Sequence, residues 1–271
     1  MMFATIVAVE TITPLHVGAG AGRGEIDLPV ARDCFGLPFI PASGLKGALR
    51  DEFRENTELQ NQIFGSKNSM GKIAIQDAYL LAVPARSLRG VWALITSPLL
   101  LRRLKMLAEV ADQKDLQKEL NTLIQTEVGE DKILISEEGK DKLAIDGKIV
   151  LNEDFELEAV SDSKVGEFGS KFSPDERWRL CIVNDNLIGE IANTSLLRRA
   201  RVALDDETKI VREGGLWEEE DVPPHSFFAS LFCFQGGEEE LKKALEEKMN
   251  TYLILGGHET LGRGLVRLRK W

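Results

Sequence analysis

The stretch 226-SFFASLFCFQ-235, followed by 238-EEELKKALEEKMNTYLIL-255 and 264-GLVRLRKW-271, decides the fold. The first segment is aromatic and apolar and reads as a strand. The second places Leu241, Leu245, Met249 and Leu253 at helical spacing, and the third is a short amphipathic strand. The same order occurs at the other end of the chain. Residues 3-FATIVAVETIT-13 are β-branched and end at Pro14, which marks a strand. In 43-SGLKGALRDEFRE-55, Leu45, Ala48, Leu49 and Phe53 share one helical face, with Ser43 as candidate N-cap. Then 72-KIAIQDAYLLAV-83 reads as a strand whose polar flanks suit a sheet edge. The two units spell βαββαβ, an α+β, ferredoxin-like (RRM-like) core with helices on one sheet face.

About half of the chain lies between these units and is expected to be an insertion. Residues 91-VWALIT-96 read as a strand leading into a helical stretch, 98–127, with Leu116, Leu120, Leu123 and Ile124 as its apolar stripe. From 130 to 176 charge rises and periodicity falls, which predicts a mobile surface excursion. Residues 200-ARVALDDETKIVREGGLW-217 alternate on both sides of the polar turn 205-DDET-208 and predict a β-hairpin, either decoration or a lever that grips a partner. The expected organisation is a single domain: a core of about 1–97 and 222–271, a helical and irregular insertion over about 98–185, and a protruding hairpin within about 186–221.

With 271 residues, 43% of them hydrophobic, the chain can bury a sizeable core without staples. Cys34, Cys181 and Cys233 share no C-x-x-C spacing, so they read as reduced thiols, not a zinc or disulfide framework. Residues 1–14 lack the basic flank and continuous apolar run of a signal peptide, and no segment approaches a membrane span. The expected location is cytoplasmic. A formal charge of −10 argues against a freestanding basic nucleic-acid binder. The charge is uneven, however: 196-LLRRAR-201, 263-RGLVRLRK-270, Lys46 and Arg50 are basic, so a local basic groove remains open.

Two glycine clusters, Gly18–Gly24 and 256-GGHETLGRG-264, fit either tight turns or loops whose amides cradle an anion. Neither matches G-x-G-x-x-G or a P-loop. Arg263, held between glycines, and the helix start at Ser43, Gly44 and Lys46 both suit a polyanion backbone. His16, His225 and His258 form no H-x-x-x-H metal pair. His16 is either a satisfied loop histidine or a positioning group near Asp27; His225 and His258 read as structural or solvated. No G-x-S-x-G elbow or cysteine–histidine pair supports acyl transfer. The remaining candidates are carboxylates: Asp27 in 24-GEIDLPVARD-33, and Glu218 to Asp221, a run that by itself reads as a solvated face.

Taken together, 13-TPLHVGAG-20, 26-IDLPVARD-33, 38-PFIPASGLKGALR-50 and 256-GGHETLGRG-264 resemble the RAMP superfamily of CRISPR proteins. The stretches 92-WALITSPLLLRR-103 and 201-RVALDDETKIVREGGLWEEEDVPP-224 are similar to one branch, the backbone subunits of type III-B Cmr effectors. The resemblance implies copies stacked in a helical filament along a CRISPR guide RNA, beside other Cmr subunits. It implies that the hairpin is a thumb spreading the guide–target duplex. Target single-stranded RNA would then be cut at regular intervals by a metal-dependent endoribonuclease, with Mg2+ or Mn2+ as cofactor. On this resemblance Asp27 is the essential, metal-associated catalytic residue, with His16 and Glu219 as further catalytic candidates. Asp221 departs from a tyrosine common in the family. Ser43, Gly44, Lys46, Arg50, Gly256, Gly257, Gly262, Arg263 and Gly264 fall on the family's RNA-binding helix and glycine-rich loop. Alternatives are a non-catalytic guide-RNA scaffold, the paralogous type III-A backbone subunit and a stand-alone processing ribonuclease.

Overall fold

The first strand, Met2–Thr11, is paired on both edges and covered on both faces, which explains its composition. It runs antiparallel to Phe227–Gln235 on one side and to Leu265–Lys270 on the other. Val7 and Val9 belong to one buried cluster with Leu45, Leu49, Leu241 and Leu245, whereas Ile6 belongs to a second with Leu101, Leu104 and Leu231. A strand buried on both faces loses its period-2 alternation and reads as a continuous apolar run. Each of these fully buried aliphatic side chains contributes about 1.5–3 kcal/mol of transfer free energy.

This computed structural model describes residues 2–20, 22, 26–205, 207–235 and 239–271. The fold is mixed α+β. Among the described residues twelve strands form one sheet. Its order is Tyr252–Ile254, Leu265–Lys270, Met2–Thr11, Phe227–Gln235, Ala78–Ser87, Val91–Thr96, Leu180–Val183, Lys132–Ile135, Phe155–Ser161 and Lys148–Leu151. Phe39–Ile40 and Ile73–Ile75 are short side branches. The last strand returns to the fifth through a Ser87–Leu151 pair, so six strands from Ala78–Ser87 onward close into a barrel-like ring.

Several expectations change at this level. The stretch 130–176 is regular: strands Lys132–Ile135, Lys148–Leu151 and Phe155–Ser161 and helices Glu137–Leu143 and Ser163–Gly169 supply the ring and its cover. Charge misled the reading because alternate residues of Phe155–Ser161 point Glu156 and Glu158 outward while Phe155, Leu157 and Ala159 are buried. The helical stretch is two helices, Pro98–Val110 and Lys114–Gln125, separated where Asp112 adopts a left-handed φ of 52°. These lie on the sheet face opposite Ala42–Asp51 and Glu239–Lys248, so helices cover both faces. The expected strand 72–83 is Ile73–Ile75 plus Ala78–Ser87, and the latter is interior, shared by the open sheet and the ring.

Helix Ala42–Asp51 starts after Pro41 without a side-chain cap, and Ser43 sits exposed inside its first turn. The Ala42 N–H donates instead to Asp77 Oδ1 at 2.7 Å. The hairpin is longer than expected, Leu197–Leu204 paired with Val211–Asp221, with a register shift between Val202 and Leu204. At its turn Asp205 Oδ1 accepts from the amides of Glu207 and Thr208, while Asp206 lies outside the described residues. No helix among the described residues is long and apolar enough to cross a membrane. All three cysteines are unpaired thiols.

Candidate functional site

The residues between Pro14 and Pro41 form few regular elements, yet they are laced to the rest of the fold. Leu15 exchanges two backbone hydrogen bonds with Val222, each 2.9 Å, and the Ala31 N–H donates to the Val17 carbonyl at 2.7 Å. Near its tip this loop reaches the second hairpin strand. Leu28 donates to the Glu218 carbonyl and accepts from the Glu220 amide, both at 3.0 Å, so the loop adds a short parallel third strand to the hairpin base. Asp27 stands at the start of that strand. It is exposed, and its Oδ2 accepts the Glu218 N–H at 2.8 Å. The Gly22 N–H donates to the Asp27 carbonyl at 2.8 Å; Ala21, Arg23, Gly24 and Glu25, part of the first glycine cluster, lie outside the described residues.

In the acidic run beside Asp27, Glu218 is exposed, but the other three residues are the opposite of a solvated face. Glu219, Glu220 and Asp221 are 0%, 1% and 0% exposed. Burying three carboxylates is costly unless each is paired and hydrogen-bonded, and each is. Glu219 accepts from Trp217 Nε1 at 2.8 Å and from an Arg263 guanidinium nitrogen at 2.7 Å. The same Arg263 nitrogen donates to Asp221 Oδ1 at 3.1 Å, and Arg199 approaches Asp221 Oδ2 at 3.5 Å. Arg32 and the Val30 amide reach Glu220 at 2.9 and 3.3 Å. Burial pulls the Glu219 carboxyl up, but its bonds from Trp217 and Arg263 and the charges of His258 and Arg263 outweigh that and hold it below its ordinary value.

His16 is buried at the edge of this network. Its Nδ1–H donates to the Glu220 carbonyl at 2.8 Å, and Asp221 Oδ1 lies 3.6 Å from the same nitrogen. The Asp221 carboxylate raises the imidazole above its ordinary 6.5; burial opposes this, and the Glu220 carbonyl reinforces it. The His258 ring stands 5.0 Å from the His16 ring, with Nε2 3.7 Å from Glu219. His258 thus belongs to the site's framework.

The glycine-rich loop 256–264 packs against the segment carrying His16. A Cβ at Gly256, whose φ is +81°, would lie 2.3 Å from the His16 carbonyl oxygen. The amides of Gly257, Gly262 and Gly264 donate to the carbonyls of His16, Glu259 and Pro14. Gly256 and Gly264 serve close chain approach, and the N–H groups of Gly257, Gly262 and Gly264 are committed inside the protein. Arg263 is 4% exposed and bonded to two carboxylates, so it faces inward, contrary to the expectation of a polyanion contact. At the first helix the Gly44 amide donates to the Pro41 carbonyl and Ala42 to Asp77, so these two helix-start groups are satisfied internally.

Lys46 and Arg50, by contrast, line an open concavity of about 600 Å3 together with Ser66, Lys67, Lys72 and Gln235. Among the described residues no carboxylate lines it. Lys67 and Lys72 were missed from the sequence, although 66-SKNSMGK-72 carries both cations around a short hairpin, Gly65–Ser66 with Ser69–Met70. Arg32 and Arg199 were also missed as partners of the acidic run. The structure therefore brings Asp27, Glu219, Arg263 and His16 into one neighbourhood, with Lys46 and Arg50 in a separate groove. Among the described residues no three His, Cys, Asp or Glu side chains converge as a metal-binding set.

The RAMP superfamily pattern matches residues 8–267. Over 291 residues the chain is 32% identical to the Pyrococcus furiosus protein named CRISPR system Cmr endoribonuclease Cmr4, covering 98% of this chain and 95% of that one. It is also 32% identical to the Saccharolobus solfataricus CRISPR system CMR subunit Cmr4, over 96% and 94% of the two chains. Among solved structures, a chain of the type III-B Cmr-beta complex in its apo state superposes with TM-score 0.85 at 31% identity, covering 99% of this chain and 97% of that one. The same complex bound to cognate target RNA gives 0.85 at 30% over the same shares, and oligomeric Cmr4 from Pyrococcus furiosus 0.74 at 28% over 99% and 98%. With the family pattern spanning nearly its whole length, this chain belongs to the RAMP superfamily.

Proposed function

We propose that this chain is a backbone subunit of a type III-B Cmr effector and an endoribonuclease that cuts target RNA, with Asp27 as its catalytic carboxylate. The observation that carries the reading is the placement of Asp27: exposed, anchored through one oxygen to the Glu218 amide at the hairpin base, beside the buried and paired acids Glu219, Glu220 and Asp221. Near-full-length identity to a curated Cmr endoribonuclease supports the activity. Likeness to a Cmr complex bound to target RNA supports RNA as the substrate.

Cleavage by attack of a ribose 2′-hydroxyl on its adjoining phosphate requires in-line geometry, which a nucleotide held out of the duplex can adopt. In this reading Asp27 accepts that hydroxyl's hydrogen bond and orients it. A hydrated Mg2+ or Mn2+, when bound, would neutralise charge on the reacting phosphate. Asp27 would hold such an ion through a carboxylate oxygen; among the described residues no cluster of three His, Cys, Asp or Glu side chains forms a fuller protein cage, which suits a weakly held, hydrated cation. The guide RNA would run along the basic concavity of Lys46, Arg50, Lys67 and Lys72, and copies would stack along it as a cytoplasmic filament with other Cmr subunits. The order Leu265–Lys270, Met2–Thr11, Phe227–Gln235, Ala78–Ser87 supports a ferredoxin-like core beneath the hairpin thumb.

The test is Asp27→Ala in the reconstituted complex. Loss of target cleavage with guide and target binding retained is the expected result. Cleavage at the wild-type rate overturns the assignment and leaves the chain a scaffold.

A further inference from the structure

We propose that Arg263 is a positioning residue for target cleavage, one that never touches RNA and acts by fixing the backbone to which Asp27 is bonded. The inference rests on the reading of Asp27 as the catalytic carboxylate.

The chain of contacts is short and continuous. Asp27 Oδ2 is held by the Glu218 N–H, and Leu28 is bonded to the carbonyl of Glu218 and the amide of Glu220. The position of the carboxylate is therefore set by hairpin residues 218–220. Those residues are in turn set by what holds their neighbours. One Arg263 nitrogen bridges Glu219 Oε2 and Asp221 Oδ1, side chains of alternate residues on the same strand, at 2.7 and 3.1 Å. A single buried cation thus grips the strand on both sides of residue 220, whose own carboxylate is taken by Arg32 and the Val30 amide from the Asp27 loop.

Arg263 also has a fixed base from which to pull. Its flanking residues are locked by backbone bonds: Gly262 N–H to Glu259, and Gly264 N–H to Pro14 with Leu255 N–H to the Gly264 carbonyl. A Cβ at Gly264 would lie 2.1 Å from the Leu255 carbonyl oxygen, so this approach is as close as backbone permits. The final strand, Leu265–Lys270, continues directly from it and pairs with Met2–Thr11. Arg263 therefore ties the hairpin base to the central sheet. Without it, Glu219 and Asp221 would be left in a buried site short of their shared cation, and the strand would shift or admit water to relieve them. Reacting groups tolerate little displacement; about 1 Å of misplacement can cost roughly a hundredfold in rate.

The hairpin adds a consequence. Trp217, which donates to Glu219, also carries Arg201 at 5.8 Å over its ring, out along the projecting arm. The arm is thereby in contact with the same residues that hold Asp27.

The experiment compares Arg263→Met, Arg263→Lys, Glu219→Gln and Asp27→Ala in the reconstituted complex. Single-turnover target cleavage, target and guide affinity, and amide hydrogen exchange over residues 26–30 and 218–221 are measured. Arg263→Met is expected to slow cleavage by roughly tenfold to a hundredfold, with affinities unchanged and exchange faster in both segments. Arg263→Lys, which keeps the charge, is expected to recover part of the rate, and Glu219→Gln to reproduce a milder form of the defect. If Arg263→Met does not assemble, the Lys and Gln variants carry the same comparison. Weakened guide or target affinity with unchanged exchange would make Arg263 an RNA contact and overturn the proposal. Faster exchange with cleavage at the wild-type rate would reduce it to a stability role and also overturn it. Asp27→Ala separates the two claims: if that variant still cleaves, the catalytic assignment fails, whereas an inactive Asp27→Ala beside a fully active Arg263→Met sinks the positioning claim alone.

Discussion

Asp27 and the run Glu219–Asp221 lie side by side, their segments joined by four hydrogen bonds that link Asp27, Leu28 and Val30 to Glu218 and Glu220, yet they are opposite electrostatic designs. Asp27 is exposed, with one oxygen anchored to a backbone amide. Glu219, Glu220 and Asp221 are sealed, each matched to arginine. A carboxylate that must meet a substrate keeps one face open to solvent and spends only enough hydrogen bonding to fix its direction. Carboxylates that build the platform are each paired with arginine, because an unpaired buried charge costs several kcal/mol; Asp221 Oδ2 accepts no hydrogen bond and has the Arg199 guanidinium at 3.5 Å. Acidic residues adjacent in space thus divide into an exposed pair, Asp27 and Glu218, and a buried set that holds the strand.

The largest test of this contrast is stability. Glu219→Ala or Asp221→Ala leaves Arg263 buried with one carboxylate fewer, and is expected to cost about 3–5 kcal/mol in chemical denaturation. Asp27→Ala, at an exposed position, should stay within about 0.5 kcal/mol of wild type. Equal losses at the two places would erase the distinction. Next in size, Gly256→Ala forces a Cβ toward the His16 carbonyl at positive φ and should destabilise by more than about 1 kcal/mol. Gly262→Ala, also at positive φ but into open space, should cost less.

A smaller effect follows from His16, which Asp221 raises above its ordinary 6.5. A group raised on folding stabilises fully below its unfolded pKa, and that contribution fades as pH climbs through the folded value. The stability gap between wild type and His16→Asn should therefore be larger near about pH 6 than near about pH 9. NMR titration of the imidazole should place its midpoint above 6.5, and Asp221→Asn should lower it. Smallest of all, Lys46→Ala or Lys67→Ala in the basic concavity should weaken guide binding modestly and reduce the log-salt slope by about 1. Cleavage per bound target should be unchanged.

The end units of the chain were legible because their signals are local. Helical spacing at Leu241 and Leu245 and the apolar runs of Met2–Thr11 and Phe227–Gln235 need no distant partner to be read, although the helix ends at Lys248, and Leu253, expected on its face, lies in the strand Tyr252–Ile254. The ring was not legible, since its strands Lys132–Ile135 and Lys148–Leu151 are four residues each and bordered by charge. The burial of Glu219–Asp221 was hidden for a different reason. Its counter-ions come from Arg32, Arg199 and Arg263, which only tertiary structure brings together. Family likeness marked Asp27 and His16, but it also marked Arg263 and the glycines as RNA contacts, where the geometry turns the arginine inward and commits the amides of Gly257, Gly262 and Gly264 to the protein. Motifs record which residues matter more reliably than what they touch.

The most direct measurement replaces Asp27 with asparagine, which preserves size and can still accept the Glu218 N–H while removing the charge. In single-turnover assays on the reconstituted complex, Asp27→Asn should slow target cleavage by about a hundredfold or more at unchanged target affinity. Cleavage within about threefold of wild type would show that the open carboxylate at the hairpin base does no chemistry.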